Sequence, residues 1–324
     1  MNGPLVSIVT PSYNQGQFLE TTIRSVLGQD YSQLEYIVVD GGSTDCSVEI
    51  IEKYAESISW WVSEPDQGQA DAINKGFQKA QGEILGWINS DDYYLPGAVK
   101  EAVGLFAKFP EASFVYGNAY TADAEGNLLN PLRFDQRDLL DFLRFKMICQ
   151  PAVFFRKQIA AELDYLDPSY DFFLDHHFWI RLYRQAPSVF QERDWAVSRY
   201  HDQAKNVYLA ETCGEEAYRI LEWAKQKDDM AVYFQDYERI IWGGAHQIYA
   251  RYLLDAQKPY QALRKYLSAY FAWPFLLFES GHRFLFALLS LIGLDILGVW
   301  FRNLKHQWVK LKESDSISDK WPES

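Results

Sequence analysis

Short β-branched and aromatic runs alternate with helical patterns through the first part of this chain, and few architectures accept that rhythm. LVSIVT (5–10), LEYIVVD (34–40), ISWWVS (58–63) and EILGWIN (83–89) read as strands. Between them, residues 16–28, 44–56 and 68–80 carry apolar side chains at helical spacing, as in Phe18, Ile23, Val26 and Leu27. Strands separated by helices cannot pair as hairpins, so the pattern predicts βαβ units and a mostly parallel sheet flanked by helices. Ligands of such sheets bind beyond the carboxyl ends of the strands. Past about residue 210 the strand signals stop, and helical patterns such as AHQIYARYLL and YQALRKYLSAYF take over. The expected organisation is an α/β domain over 1–208 and a helical C-terminal region over 209–324, with a polar, frayed tail from 313.

Composition narrows the partners. With 48% hydrophobic and 23% charged residues the chain can bury a large core. Its net charge of -13 argues against nucleic acid as a partner. Phosphate binding, if the chain does it, must then be local and metal-assisted. The three cysteines, Cys46, Cys149 and Cys213, follow no metal or disulfide spacing. A basic leader is absent and Leu5–Val9 is too short for a signal peptide, so the chain is expected to stay in the cytoplasm.

All four strand ends are polar: TPSYN (Thr10–Asn14), DGGSTD (Asp40–Asp45), SEPDQGQADAINKG (Ser63–Gly76) and NSDD (Asn89–Asp92). Any one of them could be a set of helix caps and turns. Four at one edge of a parallel sheet point to a ligand site. NSDD is the sharpest, because adjacent carboxylates repel unless a cation or a hydrogen-bond cluster holds them. Oxygen ligands of this kind suit Mg²⁺ or Mn²⁺, completed by substrate phosphates and water. The competing reading makes Asp91 an N-cap for a helix that Pro96 begins.

In this order and spacing, TPSYN, VVDGGSTD, EPDQGQADAINKG and NSDD resemble the nucleotide-sugar-binding half of the family 2 glycosyltransferases. The resemblance covers roughly residues 5–205. It implies a GT-A fold and an inverting transfer from a nucleoside diphosphate sugar, a UDP-sugar being favoured, to an acceptor hydroxyl, with Mn²⁺ or Mg²⁺ on the diphosphate. By position it implies that Pro11, Tyr13, Asn14 and Asp40 bind the donor, with Asp91 near the ribose and Asp92 the metal ligand. The ADAINKG variant looks like a subgroup, with Asp71 and Asn74 as further donor contacts. Two departures stand out: Gly41 where many members carry an acidic residue, and Ile73 where many carry an arginine.

LDHHFWIRL (174–182) resembles the family's acceptor motif, with Asp175 in the position of the general base. An inverting displacement needs only one such carboxylate to take the acceptor's proton. The flanks are Leu174 and His177 where the family often has acids, which leaves proton acceptance to Asp175. His201, in RYHDQAKN, falls where related enzymes place a histidine that reaches the metal or diphosphate, and it reads equally as a structural histidine. Cys149, in CQP, reads as a packing residue. His176 and His177 read as acceptor-facing or surface side chains, since neighbouring helical positions point apart.

Residues 257–312 hold eight basic residues against Glu279 and Asp295, a charge of +6 that leaves -19 for the rest. Their aromatics and aliphatics suit a helix lying in an anionic membrane surface on the inner face of the cytoplasmic membrane, or a subdomain packed on the catalytic domain. Against the transferase stand a sugar nucleotidyltransferase, for which TPSYNQG lacks the Gly-rich, Arg-containing loop, and a non-catalytic nucleotide-sugar-binding scaffold at the membrane. The transferase would serve polysaccharide or cell-surface glycan synthesis, with a saccharide or lipid-linked acceptor.

Overall fold

The computed structural model describes residues 3–201 and 210–292. Its strands are β1 (Val6–Ser12), β2 (Leu34–Asp40), β3 (Trp60–Ser63), β4 (Ile84–Trp87), β5 (Tyr93–Tyr94), β6 (Phe114–Ala122), β7 (Leu128–Leu132), β8 (Val153–Arg156) and β9 (Ser188–Arg199). The helices of the α/β part are α1 (Gly16–Leu27), α2 (Ser47–Lys53), α3 (Gln69–Lys79), α4 (Ala98–Lys108), α5 (Leu139–Leu143), α6 (Lys157–Glu162) and α7 (Leu174–Gln185). Four more follow: α8 (Ala210–Lys225), α9 (Asp228–Asp255), α10 (Pro259–Ala272) and α11 (Leu276–Leu291).

The sheet order is β3-β2-β1-β4-β8-β6-β9-β5, with β7 beside β6. The four strands read from the sequence form the parallel half, in register from Val6↔Leu34 to Ser12↔Asp40 and from Ile37↔Trp60 to Asp40↔Ser63. That register brings Ser12, Asp40 and Ser63 level at one edge. β4 pairs with the other side of β1, so the chain winds outward in both directions from the β1/β4 boundary and leaves a crevice beyond their carboxyl ends. The other half is mixed, with β8 antiparallel to both β4 and β6, and β9 parallel to β6.

Both faces are covered, as βαβ crossovers require. Ile8, Tyr36, Val38 and Phe154 face α1, α2 and α4, while Val9, Val39, Trp87, Phe114 and Phe155 face α3, α5 and α7. This second core continues without a break into α8 and α9 through Cys213, Ala217, Ile220, Leu221, Ile241 and Ile248. Packing therefore crosses the 208/209 boundary expected from the sequence, and the separate cluster begins only at Ala250, with Leu253, Leu263, Tyr266 and Ala287. The mature helix after NSDD starts at Ala98 behind a left-handed Gly97, so Asp91 does not cap it. Residues 293–324, including Asp295, Arg302, Lys305, Lys310, Lys312 and the tail, lie outside the described residues, as does Lys205.

Candidate active site

A cleft of about 710 Å³ opens at the β1/β4 crevice. Its lining includes Pro11, Tyr13, Asp66, Gln69, Trp87, Asn89, Asp91, Asp92, Gln150, Asp171, Phe172, Asp175 and Arg199. Of the residues singled out from the sequence, Pro11, Tyr13, Asp91, Asp92 and Asp175 meet here. Tyr13 stands at the end of β1 with 61% of its surface exposed, free to stack on a planar ligand.

The others sit behind the walls. Asp40 is fully buried, and its carboxylate accepts from the backbone N–H groups of Gly42 (3.1 Å) and Ser43 (2.8 Å) and the hydroxyls of Ser43 (2.5 Å) and Ser63 (2.7 Å). Asn14, left-handed at φ 51°, donates its N–H to the Ser43 hydroxyl and accepts at Oδ1 from the Thr44 N–H at 2.8 Å. Asn14 thereby ties the loops after β1 and β2 together, and Asp40 ties the loop after β2 to the end of β3. Asp71 accepts from the Gln67 N–H at 3.1 Å in the first turn of α3. Asn74 is spent on a two-way bond with the Leu166 backbone, bracing the left-handed turn at Asp164 and Tyr165.

The two departures acquire a structural meaning. A Cβ on Gly41 would come within 2.5 Å of an Asp66 carboxylate oxygen, so Asp66 fills the space that a side chain at 41 would occupy. Ile73 is fully buried against the sheet and belongs to the core.

The NSDD turn is closed by the Asp92 N–H donating to the Asn89 carbonyl at 3.0 Å. Thr22 of α1 donates its hydroxyl to the carbonyls of Ser90 (2.8 Å) and Asp92 (2.6 Å), tying the turn to α1. Asp92 is 4% exposed and accepts from the Arg199 N–H at 2.9 Å. Burial, and then the charge of Asp91, push its carboxyl well above the usual range. Asp91 meets His201 Nε2 at 3.0 Å, and His201 Nδ1 is buried without a partner among the described residues. A desolvated carboxyl at Asp92, the neighbouring Asp91 and an imidazole on Asp91 with one ring nitrogen unsatisfied are donors of the kind a divalent cation takes. Among the described residues no set of three His, Cys, Asp or Glu side chains forms a cage. Diphosphate oxygens and water would then complete the shell, as Mg²⁺ and Mn²⁺ accept.

On the facing wall Asp175 stands in the first turn of α7, half-buried, accepting from the His176 N–H at 2.7 Å. Burial raises its pKa to about 6, against the lowering effect of the backbone bonds. A carboxyl poised there is a proton acceptor at neutral pH. Cys149 is buried, and its thiol is pushed up by burial and by Asp92 and Asp175, which holds it protonated.

His176 and His177 are not at the surface. His176 lies against Phe145 (4.8 Å between rings) with Nε2 at 2.8 Å from the Phe142 carbonyl, and His177 lies between Tyr170 (4.3 Å) and Trp223 (4.6 Å). Asp175 takes the side of the first turn of α7 that faces the cleft, while His176 turns toward Phe142 and Phe145 and His177 toward Tyr170 and Trp223 of α8, so neither histidine reaches solvent.

Several lining residues fall within or beside the motifs read from the sequence, with nothing there to mark them individually. Gln69 donates to Asn89 (2.8 Å), Asn89 to Gln150 (3.2 Å) and Gln150 to the Trp87 carbonyl (2.8 Å), a chain of amides across the floor. Arg199 closes β9, donates to the Asp91 carbonyl at 2.8 Å and lies over the rings of Phe18 and Tyr93. The only cue to Arg199 was its place beside His201.

Residues 7–164 match the profile of Glycosyl transferase family 2. An uncharacterized glycosyltransferase of Mycobacterium tuberculosis is 31% identical over 184 residues, 56% of this chain and 69% of that protein. Another, from Rickettsia conorii, is 28% identical over 214 residues, 61% of this chain and 34% of its own length, so the chain spans about a third of that relative. The fold is similar to that of residues 1–349 of TarS from S. aureus in complex with UDP-GlcNAc (TM-score 0.53, 16% identity, 82% of this chain and 89% of that one). It is also similar to that of the mannosyltransferase PcManGT from Pyrobaculum calidifontis in complex with GDP-Man and Mn²⁺ (TM-score 0.54, 17% identity, 95% and 88%). At such identity the likeness is one of fold, the GT-A fold.

Proposed function

The chain belongs to glycosyl transferase family 2, and from that premise we propose that it moves a sugar, with inversion, from a nucleoside diphosphate sugar to a hydroxyl of a saccharide or lipid-linked acceptor. The observation that carries this reading is the composition of the cleft: the Asp91–Asp92 pair beyond the end of β4 on one wall and the carboxyl of Asp175, held where it accepts a proton at neutral pH, on the other. A UDP-sugar is the favoured donor, with Tyr13 stacking on the base and Pro11 beneath it. Asp40, Asn14, Asp71 and Asn74 act on the donor by holding the loops that touch it.

Asp175 accepts the proton of the acceptor hydroxyl as its oxygen bonds to the anomeric carbon. The bond from that carbon to the diphosphate breaks on the opposite face, and its electron pair leaves with the nucleotide. Asp92 and His201 would hold Mn²⁺ or Mg²⁺, which when bound supplies positive charge to the departing diphosphate. Arg199, beside them, adds a fixed cation to the same wall.

We place this activity in polysaccharide or cell-surface glycan assembly, as a hexosyltransferase working from the cytoplasm on the inner membrane face. No described helix is long and apolar enough to cross a membrane. Titrating UDP-GlcNAc and GDP-mannose, with and without Mn²⁺, into wild type and Asp92→Asn tests the reading. Metal should tighten donor binding in the wild type and leave the variant unchanged, because the amide loses the charge that holds the cation. Equal enhancement in both would move the metal site elsewhere. Binding without any nucleotide release would favour the scaffold reading.

A further inference from the structure

Glu216 lies on α8, in the helical region, yet its carboxylate acts on the acceptor wall. It is 4% exposed and accepts from three successive backbone N–H groups, those of Asp171 (2.7 Å), Phe172 (2.9 Å) and Phe173 (2.7 Å). A buried carboxylate is tolerated when its lone pairs are filled by such charge-assisted bonds. The three residues it grips lead directly into α7, and Asp171, Phe172 and Asp175 all line the cleft. The grip is anchored from behind. Cys213, Ala217, Ile220 and Leu221 seat α8 in the main core, and Gly214 lets the Tyr249 ring of α9 lie against the helix.

We infer that Glu216 is a positioning residue for Asp175: from the helical region it fixes the backbone that presents the base to the acceptor. The inference rests on the reading of Asp175 as that base. An arrangement loosened by one missing anchor costs rate more than binding, since a displacement of about 1 Å in a reacting group can cost roughly 10²-fold. The charge of Glu216 also reaches Asp175 and favours its protonated form. The other titratable groups around Asp175 are Asp171 before it, His176 on α7, Cys149 ahead of β8, Tyr252 on α9 and the Asp91–Asp92 pair across the cleft.

Glu216→Gln separates this role from plain packing. The amide keeps the shape, removes the charge and turns one donor toward an N–H group that needs an acceptor. The first readout is the titration of the Asp175 carboxyl by carbon NMR, assigned by its loss in Asp175→Asn. Its midpoint near pH 6 in the wild type should fall by several tenths of a unit in Glu216→Gln. The second readout is nucleotide release from UDP-GlcNAc or GDP-mannose with Mn²⁺ at pH 8, which should slow by about tenfold or more while donor affinity stays within a few-fold. Glu216→Asp keeps the charge and shortens the reach, so it should retain the midpoint and lose the rate, and it serves equally if the glutamine variant does not fold. An unchanged midpoint together with an unchanged rate in Glu216→Gln, or a full rate in Glu216→Asp, overturns the inference. A wild type that releases nucleotide from neither donor overturns the transferase reading instead, and the NMR titration still tests the clamp.

Discussion

At Asp175, stability and activity pull in opposite directions. The carboxyl titrates near pH 6 in the folded protein against an ordinary value of 3.8, so the native state prefers it protonated. Its contribution to stability is therefore present in full below about pH 4 and is lost as pH rises through 6. Above that, a desolvated negative charge remains on the cleft wall, at a cost on the order of 1–3 kcal/mol once solvent reaching it through the mouth is allowed for. Asp175→Asn removes that cost and the proton acceptor together. The variant should melt a few degrees higher than wild type at pH 7.5, bind donor within a few-fold, and lose transfer by about 10² or more. Wild-type transfer should fall on acidification with a midpoint near 6, a limb absent from the residual activity of the variant. Thermal melts and pH–rate profiles check both halves, and near-normal turnover in Asp175→Asn would shift the base to Asp171. The acidic cleft residues were legible because NSDD and LDHH place them on segments with recognisable company. Glu216 was not: it is one of four glutamates in AETCGEEAYRILEWAK, and only tertiary packing distinguishes it from its neighbours.

Among the elements, α7 carries most of the conflict between sequence pattern and structure. A helix with one apolar face would leave His177 wet, but α7 is wedged between the sheet and α8, and both histidines end in aromatic surroundings. Burial holds them neutral, with His176 pushed down to about 4 and His177 to about 3. An unfolded chain would protonate both near 6.5, so the stability they lend is complete above that pH and drains away as pH falls toward 4. Asp175 works the other way over part of this window, taking up one proton in the native state while the unfolded histidines take two. The balance is one proton in favour of unfolding, or about 1.4 kcal/mol lost per pH unit near pH 5. Neither ring nitrogen of His177 has a hydrogen-bond partner among the described residues, so His177→Phe should fit between Tyr170 and Trp223 and flatten this slope. Denaturant melts of both proteins from pH 7 to 4.5 decide it, and parallel curves would place the acid sensitivity elsewhere. The strands fared differently. Those of the parallel half are β-branched runs bounded by turn residues and could be read directly, whereas β6 and β9 mix glycine, polar and charged positions because their pairing is set by distant partners.

For the molecule as a whole, the surface of α10 and α11 is the feature that catalysis does not explain. Phe271 is 80% exposed and Phe278 85%, and with Phe275, Leu277, Leu285, Leu288 and Ile292 they leave a broad apolar area uncovered among the described residues. Surfaces of this kind mark contacts with a partner or a lipid. Lys258, Arg264, Lys265 and Arg283 lie on the same two helices or just before them, in a segment that is +6 within a chain of -13. Apolar side chains flanked by cations suit the plane of an anionic bilayer better than a second copy of an acidic chain. The same body reaches the cleft, since α10 and α11 pack on α9, and α9 packs on the α8 that carries Glu216. Seating these helices on a membrane would set the acceptor wall at a fixed height above the lipid, as a lipid-linked acceptor requires. The full-length protein should therefore float with phosphatidylglycerol-containing vesicles and less well with neutral ones. Raising salt to 1 M, where charge is screened beyond about 3 Å, should weaken binding without abolishing it, because insertion of the aromatics persists. Replacing Phe271, Phe275 and Phe278 together by glutamate should abolish flotation while leaving the melting temperature and donor binding near wild type, since none of the three is buried in the fold. Flotation unaffected by that change, or binding equally strong on neutral vesicles at every salt, would remove the membrane from this face and leave it to a protein partner.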